Sequence, residues 1–164
     1  MLPTNEPARL AVTTEQQPTL KLAGPDDVDA LLPLVRAYHE FEHTHLSDAE
    51  RAKALRPLLA DESLGKIWLV CVDRRVVGYI ALCWGYSIEF VGKDAFVDEF
   101  FIEEEWRGQG VGGAVLGQVC QYAAQLGVKA LHLEVARDNQ RARSVYEAQG
   151  FESRHQFHMM SRVL

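Results

Sequence analysis

A glycine-rich segment between two regular segments limits the folds open to this chain. Residues 103–115 read EEEWRGQGVGGAV, with four glycines among the six residues 108–113. Residues 95–102 before it are apolar and β-prone, and apolar residues after it recur at helical spacing. A strand, a glycine-rich turn and a helix in this order place several backbone N–H groups and the positive end of a helix dipole at one point. The segment therefore predicts a site for a phosphate ester, although glycines also simply allow tight turns.

Hydrophobic periodicity predicts a mixed α/β domain around this turn. The predicted strands are 19–23, 67–72, 76–84, 95–102 and 130–136, with a closing strand or pair of strands in 150–164. The predicted helices span about 25–43, 47–59, 110–126 and 139–149. Pro33 is expected to kink the first helix or split off its first turn, and Ser47 with Glu50 forms a capping-box pattern before the second. This order favours one largely antiparallel sheet, with a parallel step across the helix after the glycine turn.

Length and composition predict one folded domain. The chain has 164 residues, of which 48% are apolar, enough to form a continuous core. We expect a loose polar tail over 1–18 and a single domain over 19–164. The formal net charge of −6 argues against a nucleic-acid partner, because phosphate backbones are held by clustered Lys and Arg.

The cysteines and the apolar runs indicate the compartment. The three cysteines, at positions 71, 83 and 120, are widely spaced in apolar contexts, which predicts buried thiols of a reducing compartment. No apolar run reaches the roughly 18 residues of a membrane span, and the first residues lack the pattern of a secretory signal. We therefore expect a cytoplasmic protein with no membrane partner.

A dinucleotide site is the main alternative for the glycine turn. Gly108, Gly110 and Gly113 satisfy the pattern G-x-G-x-x-G, and Glu134 follows about 20 residues later at the end of a predicted strand. Against this interpretation, the polar stretch 103–107 separates the strand from the first glycine, and the preceding strands form hairpins rather than βαβ units. A nicotinamide or flavin oxidoreductase is therefore the less favoured interpretation. A P-loop is excluded because no Lys-Ser/Thr pair follows the glycines.

Two segments together resemble a known family. WRGQGVGGAV, residues 106–115, resembles the R-x-x-G-x-G signature of the GNAT N-acetyltransferases, carried here by Arg107, Gly110 and Gly112. In NQRARSVYEAQGF, residues 139–151, Asn139 and Tyr146 match the asparagine and tyrosine of that family. The resemblance implies the GNAT fold, an α/β architecture with a central, largely antiparallel, splayed sheet and helices on both faces.

One branch of the family is most similar. Residues 78–102 are similar to the diamine (spermidine/spermine) acetyltransferases and their thialysine-acetylating relatives, which carry an acidic pair before two aromatic residues at the end of this strand. This chain has Asp98 followed by Glu99, where that branch usually has Glu followed by Asp. The swapped order leaves open which carboxylate would serve as the branch's catalytic group.

By this resemblance the ligand is acetyl-coenzyme A. Backbone N–H groups in 109–113 would hold its pyrophosphate, and the strand edge at Phe101 and Ile102 would pair with the pantetheine arm. A bulge beside the splayed sheet would let a backbone N–H polarise the acetyl carbonyl. Arg141 and Arg143 would reach the nucleotide phosphates or remain solvated helix charges. The implied cofactor-binding residues are Phe100, Phe101, Ile102, Arg107, Gly108, Gln109, Gly110, Val111, Gly112, Gly113, Asn139, Ala142 and Tyr146.

Removing a proton is the main catalytic demand of such a reaction. An acceptor amine with a lysine-like pKa of about 10.4 is neutral in only about one molecule per thousand at pH 7. Asp98 and Glu99 are the candidate proton acceptors, and strand alternation lets only one face the cleft unless a bulge intervenes. The wider family often has a glutamate here, which favours Glu99, whereas the diamine branch favours Asp98. Tyr146 is the candidate donor of a proton to the departing thiolate.

The first helix is expected to form a wall of the acceptor pocket. In YHEFEH, residues 38–43, Glu40 and Glu42 would attract a cationic amine, or would be ordinary exposed charges. His39, His43 and His45 lack a convincing further ligand, so we expect no metal site.

These inferences predict an enzyme that transfers acetyl from acetyl-coenzyme A to a primary amine. The acceptor is expected to be a small cationic molecule, such as a polyamine or a diamino acid, attacking directly in a ternary complex. A homodimer is expected. A non-catalytic acyl-coenzyme A sensor of the same fold is a further alternative.

Overall fold

A five-stranded sheet organises the part of the chain that the computed structural model describes, residues 17–164. In chain order, which is also the order across the sheet, its strands are β1 Thr19–Leu22, β2 Gly65–Val72, β3 Arg75–Ser87, β4 Gly92–Ile102 and β5 Ala130–His132. The first four strands are mutually antiparallel, and β5 runs parallel to β4. The predicted α/β class and the predicted parallel step are therefore confirmed.

Helices cover both faces of the sheet. They are α1 Val28–Phe41, α2 Asp48–Ala60, α3 Val111–Gln125 and α4 Gln140–Ala148. The core against α1 and α2 is built on Ile67, Leu69 and Tyr79 of the sheet, whereas the core against α3 contains Ile80 and Leu82. This two-sided burial explains why β2 and the first half of β3 are almost continuously apolar.

Local signals account for several element boundaries. The Ser47 hydroxyl accepts a hydrogen bond from the Glu50 backbone N–H, and the Glu50 carboxylate accepts one from the Ser47 N–H at 2.7 Å, so the predicted capping box opens α2. The helix α1 continues through Pro33, and a separate 3₁₀ turn, Pro25–Asp27, precedes it. The β2–β3 hairpin turns at Asp73 and Arg74, both with positive φ, which suits the twist of a two-residue hairpin.

Two expectations about strands are wrong. The strand β5 has three residues instead of the seven predicted over 130–136, because β4 diverges from it after His132 and a strand needs a ladder partner. Residues 150–164 form no strand, and their apolar side chains Phe157, Met159 and Val163 are exposed. The alternating apolar residues of this segment do not pair with an edge of the sheet, so they form no strand.

Three further findings concern the chain as a whole. Cys71, Cys83 and Cys120 are free thiols as expected, but each is half-buried rather than buried. None of the helices within residues 17–164 combines the length and apolar character needed to cross a bilayer. Most of the expected N-terminal tail, residues 1–16, lies outside the described residues.

Candidate active site

The acidic pair lies at a bulge in β4. Ala81 of β3 faces Glu99, and the next residue, Leu82, faces Val97, so Asp98 is the extra residue of the bulged strand. The bulge gives the two carboxylates different surroundings. Asp98 lines a large cleft, while Glu99 lies on the α1 side of the sheet. Strand alternation alone predicted that only one of them faces the cleft, and the bulge determines that it is Asp98.

The sheet opens beside this bulge. The pairing of β4 with β5 ends at Phe96 and His132, whereas β4 continues along β3 to Ile102. Within residues 17–164, the other edge of β4 from residue 97 onward therefore has no strand partner. The predicted splayed sheet is present, and the gap between β4 and β5 forms the cleft.

The glycine turn borders the same cleft. Gly108 and Gly110 have φ of 77° and 84°, and Gly110 is the N-cap of α3. Within residues 17–164, no protein acceptor takes a hydrogen bond from the backbone N–H groups of 108–113. Free N–H groups at the start of a 15-residue helix favour an anion. The side chains of Gln109 and Val111 point elsewhere, to the Glu105 carbonyl and into the core.

Arg107 directly precedes the turn, and Arg141 of α4 lies against it. The Arg107 Nε donates to the Ile102 carbonyl at 2.7 Å, and its guanidinium lies over the rings of Phe41 and Phe101. Arg107 thus fixes the position of the end of β4. A Cβ atom on Gly108 would lie 2.6 Å from Nη2 of Arg141, so this guanidinium sits directly over the turn. Arg143 also lines the large cleft, and it pairs with Glu147 at 3.6 Å.

The helix α4 forms the opposite wall of the cleft. The side-chain oxygen of its N-cap residue, Asn139, accepts a hydrogen bond from the Ala142 backbone N–H at 3.1 Å. This oxygen therefore caps the helix. Tyr146 lines the cleft and packs against Phe151. Burial, followed by the charge of Glu42, raises the pKa of Tyr146 above its ordinary value. Its hydroxyl is therefore protonated at neutral pH and able to donate.

Glu99 is enclosed by a hydrogen-bonded cluster that the sequence did not predict. Its Oε1 lies 2.7 Å from His39 Nε2, and its Oε2 accepts a hydrogen bond from the Tyr79 hydroxyl at 2.6 Å. Arg51 of α2 donates from Nε to His39 Nδ1 at 3.3 Å. We call these four residues the Glu99 cluster. No local pattern links them, because β3, β4, α1 and α2 each contribute one member.

Asp98 has a different environment from its neighbour. Its side chain is accessible from the cleft and makes no hydrogen bond to another described side chain. The walls of the cleft, and then the nearby charge of Glu99, raise the pKa of Asp98 above its ordinary value. A carboxylate with a raised pKa is a stronger base, so this position suits proton transfer at neutral pH.

The two glutamates of α1 expected at the acceptor pocket are separated. Glu42 lines the large cleft with Tyr38 and Phe41, whereas Glu40 lies in a smaller cleft between α1 and α2 with His43. The expected absence of a metal site is not contradicted: in residues 17–164, no group of three or more His, Cys, Asp and Glu side chains is arranged for a metal ion. Of the other expected cofactor residues, all except Gln109 and Val111 line the large cleft.

Sequence comparisons identify the family. The profile of the acetyltransferase (GNAT) family matches residues 28–151. The uncharacterised N-acetyltransferase YhfO of Bacillus subtilis is 28% identical over 133 residues, covering 81% of this chain and 89% of YhfO. Thialysine N-epsilon-acetyltransferase of Bos taurus is 33% identical over 75 residues, which are 46% of this chain and 44% of that enzyme.

Solved structures share the architecture. An integron cassette protein from the mobile metagenome of Cole Harbour Salt Marsh is 32% identical, with a TM-score of 0.78 and coverage of 88% of this chain and 90% of the other. The ribosomal-protein-alanine N-acetyltransferase of Brucella melitensis shares the fold at 20% identity and a TM-score of 0.67, over 90% of this chain and 98% of the other. The antiparallel strands β1–β4 exclude the dinucleotide-binding alternative, which needs a parallel sheet. The chain therefore belongs to the acetyltransferase (GNAT) family, and it is an acyl-coenzyme A-dependent N-acetyltransferase.

Proposed function

We propose that this enzyme acetylates a primary amine of a small cationic acceptor, of the polyamine or diamino-acid kind, by direct attack in a ternary complex. One observation carries the proposal: Asp98, Tyr146 and Glu42 line a single cleft with the glycine turn. A proton acceptor, a proton donor, an attractive charge and an anion site thus share one cleft, as a single reaction requires.

The residues around the turn fit acetyl-coenzyme A. The unbonded N–H groups of 108–113 and the Arg141 guanidinium over Gly108 would hold its pyrophosphate. At Phe101 and Ile102 the edge of β4 that faces away from β3 has no strand partner among the described residues. Main-chain groups on this edge, apart from the Ile102 carbonyl that already accepts from Arg107, would pair with the amide-bearing arm in the manner of an added strand. The cosubstrate supplies an activated thioester carbonyl to this cleft. The bulge at Asp98 frees main-chain groups from the ladder beside that position.

We assign the proton acceptor to Asp98 rather than to Glu99. Both oxygens of Glu99 already accept hydrogen bonds from buried donors, whereas Asp98 is accessible from the cleft and has a raised pKa. The attacking nitrogen forms the new bond to the acetyl carbon as Asp98 takes its proton, directly or through water. The carbon–sulfur bond then breaks. The similarity to the diamine branch also supports Asp98.

We assign to Tyr146 the protonation of the departing sulfur. The thiol of coenzyme A has a pKa presumed close to that of cysteine, about 8.5, so its thiolate is a tolerable leaving group. Because the pKa of Tyr146 is raised above its ordinary value, the proton transfer is uphill in free energy. Tyr146 therefore contributes a hydrogen bond that neutralises developing charge on sulfur, and it completes the transfer as the product leaves.

The part of the cleft around Asp98 and the end of α1 favours a cationic acceptor. Glu42 and Asp98 provide negative charge, and Tyr38 provides an aromatic surface that an ammonium group can contact. The similarity to thialysine N-epsilon-acetyltransferase, although it covers less than half of either chain, supports a diamino-acid acceptor.

The proposal is tested by release of the coenzyme A thiol from acetyl-coenzyme A with polyamines, diamino acids, thialysine and neutral amines. We expect turnover with the cationic acceptors, and losses of about 10²-fold or more in kcat for Asp98→Asn and Tyr146→Phe. Glu104→Gln, in the exposed acidic run, is the matched control and should behave as the unmodified enzyme. Tight binding of acetyl-coenzyme A by titration calorimetry, without turnover on any amine, would instead indicate the sensor function.

A further inference from the structure

The Glu99 cluster suggests a function for residues that the reaction does not itself require. Glu99, Tyr79, His39 and Arg51 lie on the α1 side of the sheet, directly behind the bulge that presents Asp98 to the cleft. The side chains of His39 and Arg51 are only 9% and 7% exposed. A buried charged network of this kind requires an explanation, because burial of charge is costly unless it is fully hydrogen-bonded.

The hydrogen bonds determine which atoms of the cluster carry a proton and which accept one. Arg51 can only donate, so His39 Nδ1 must be the acceptor in their 3.3 Å contact. The ring proton is then on Nε2, which donates to Glu99 Oε1. Burial, followed by the charge of Glu99, raises the pKa of Tyr79, which therefore remains a donor to Oε2. Both oxygens of Glu99 therefore accept hydrogen bonds from neighbouring donors.

We propose that His39 is a positioning residue that, together with Tyr79, holds Glu99 as a fixed anion behind Asp98, so that Asp98 acts as the base. The inference rests on the proposed function and assigns a specific part to the second carboxylate. Glu99 is not among the residues that line the large cleft. It acts through Asp98.

The groups facing Asp98 support this role. His39 and Tyr38 approach from α1, and Tyr79 and Cys83 from β3. Burial raises the pKa of Cys83 to about 11 and raises that of both tyrosines, so these three groups stay neutral between pH 5 and pH 8. Glu99 is then the acidic neighbour of Asp98 behind the bulge, and Glu42 lines the same cleft from the end of α1.

The geometry argues against a proton relay through His39. A relay from Glu99 to the small cleft between α1 and α2 would need a free lone pair on Nδ1, and Arg51 occupies it. Arg51 is fixed in turn by Asp48 at 2.8 Å. The cluster is therefore arranged to hold one protonation state and not to pass protons on.

The first test is the pH profile of kcat/KM for thiol release. The acidic limb of this profile reports the ionisation of the base, Asp98. Glu99→Gln removes the negative charge next to Asp98. We expect the limb to move to lower pH by about one unit, while kcat at the plateau falls by no more than about tenfold. A plateau loss beyond 10²-fold in Glu99→Gln, with activity retained in Asp98→Asn, would make Glu99 the base and overturn the proposal.

Two substitutions of His39 separate positioning from packing. Glutamine places an amide donor near the position of Nε2, whereas asparagine places its amide near Nδ1 and loses the contact with Glu99. We expect the acidic limb of the kcat/KM profile to stay at the same pH in His39→Gln and to move to lower pH in His39→Asn. His45→Gln, at an exposed histidine, is the control. Equal losses of kcat in both His39 variants, with no movement of the limb, would show a merely structural role.

A spectroscopic readout keeps the inference separate from the proposed function. In carbon-13 NMR titrations of labelled protein, the Asp98 carboxyl should titrate above its ordinary range and should move down in Glu99→Gln. Nitrogen-15 shifts should place the His39 proton on Nε2 at pH 8. These experiments need no turnover, so an enzyme inactive on every amine would reject the proposed function alone. An Asp98 titration that is unchanged by Glu99→Gln would reject the inference alone.

Discussion

At Gly108 the structure leaves no room for a side chain. The residue has φ of +77°, and an added Cβ would lie 2.6 Å from the Arg141 guanidinium. We predict that Gly108→Ala displaces Arg141 from the turn and weakens acetyl-coenzyme A binding at least tenfold. Gly127→Ala is the matched control, because Gly127 also has φ of +77° but an added Cβ there meets nothing within 4 Å. Calorimetric titration should show unchanged affinity in the control, while both variants lose about 1 kcal/mol of stability.

The raised pKa of Asp98 also has a consequence for stability. A carboxyl whose pKa is higher in the folded state than its ordinary 3.8 binds protons more readily when folded, so stability falls as pH rises through that interval. At pH 7 the ionised Asp98 therefore destabilises the fold. We predict that Asp98→Asn inactivates the enzyme and raises the urea midpoint at pH 7, with the gain shrinking toward pH 4. A variant less stable than the unmodified protein at pH 7 would contradict this account.

The sequence was sufficient to identify Asp98 and Glu99 as the acidic pair, but not to predict which of the two faces the cleft. The alternation of a strand allows either Asp98 or Glu99 to face the cleft, and the register shift opposite Ala81 is a property of two strands together. His39 could not be found either. Its partners Arg51, Tyr79 and Glu99 are brought to it by tertiary packing, so no spacing along the chain marks it.

At the scale of elements, the capping box of α2 fixes where that helix begins. Ser47 and Glu50 exchange hydrogen bonds at the start of α2, which also carries Arg51 of the Glu99 cluster. We predict that Ser47→Ala lowers the free energy of unfolding by about 1 kcal/mol in urea titrations. Ser161→Ala, at an exposed position, is the control and should leave it unchanged within error. A loss no larger than that of the control would show that the cap contributes nothing.

Elements with local signals were predicted well, and elements that depend on a partner strand were not. Helical spacing and capping residues determine α2, α3 and α4 within the chain's own sequence. The length of β5 depends instead on where β4 diverges from it. The same reason applies to residues 150–164, whose apolar pattern is typical of a strand although the structure pairs them with no sheet edge.

At the scale of the whole molecule, the apolar surface near residue 160 supports the expected homodimer. Met160 and Val163 are 88% and 98% exposed, and exposed apolar clusters often mark interfaces. We predict a dimer by light scattering at micromolar concentration, and a monomer after Met160→Glu with Val163→Glu. Leu46→Glu, at an exposed leucine between α1 and α2, is the control and should remain dimeric. A monomeric unmodified protein would contradict the prediction.

The reaction proposed for the cleft between β4 and β5 is the transfer of acetyl from acetyl-coenzyme A to a cationic amine. Mass spectrometry of the amine after incubation with enzyme and acetyl-coenzyme A tests it directly. We expect one acetyl group on a polyamine or diamino acid, in amounts equal to the thiol released, and loss of that product in Asp98→Asn. An enzyme that binds acetyl-coenzyme A but leaves every cationic amine unmodified would contradict it.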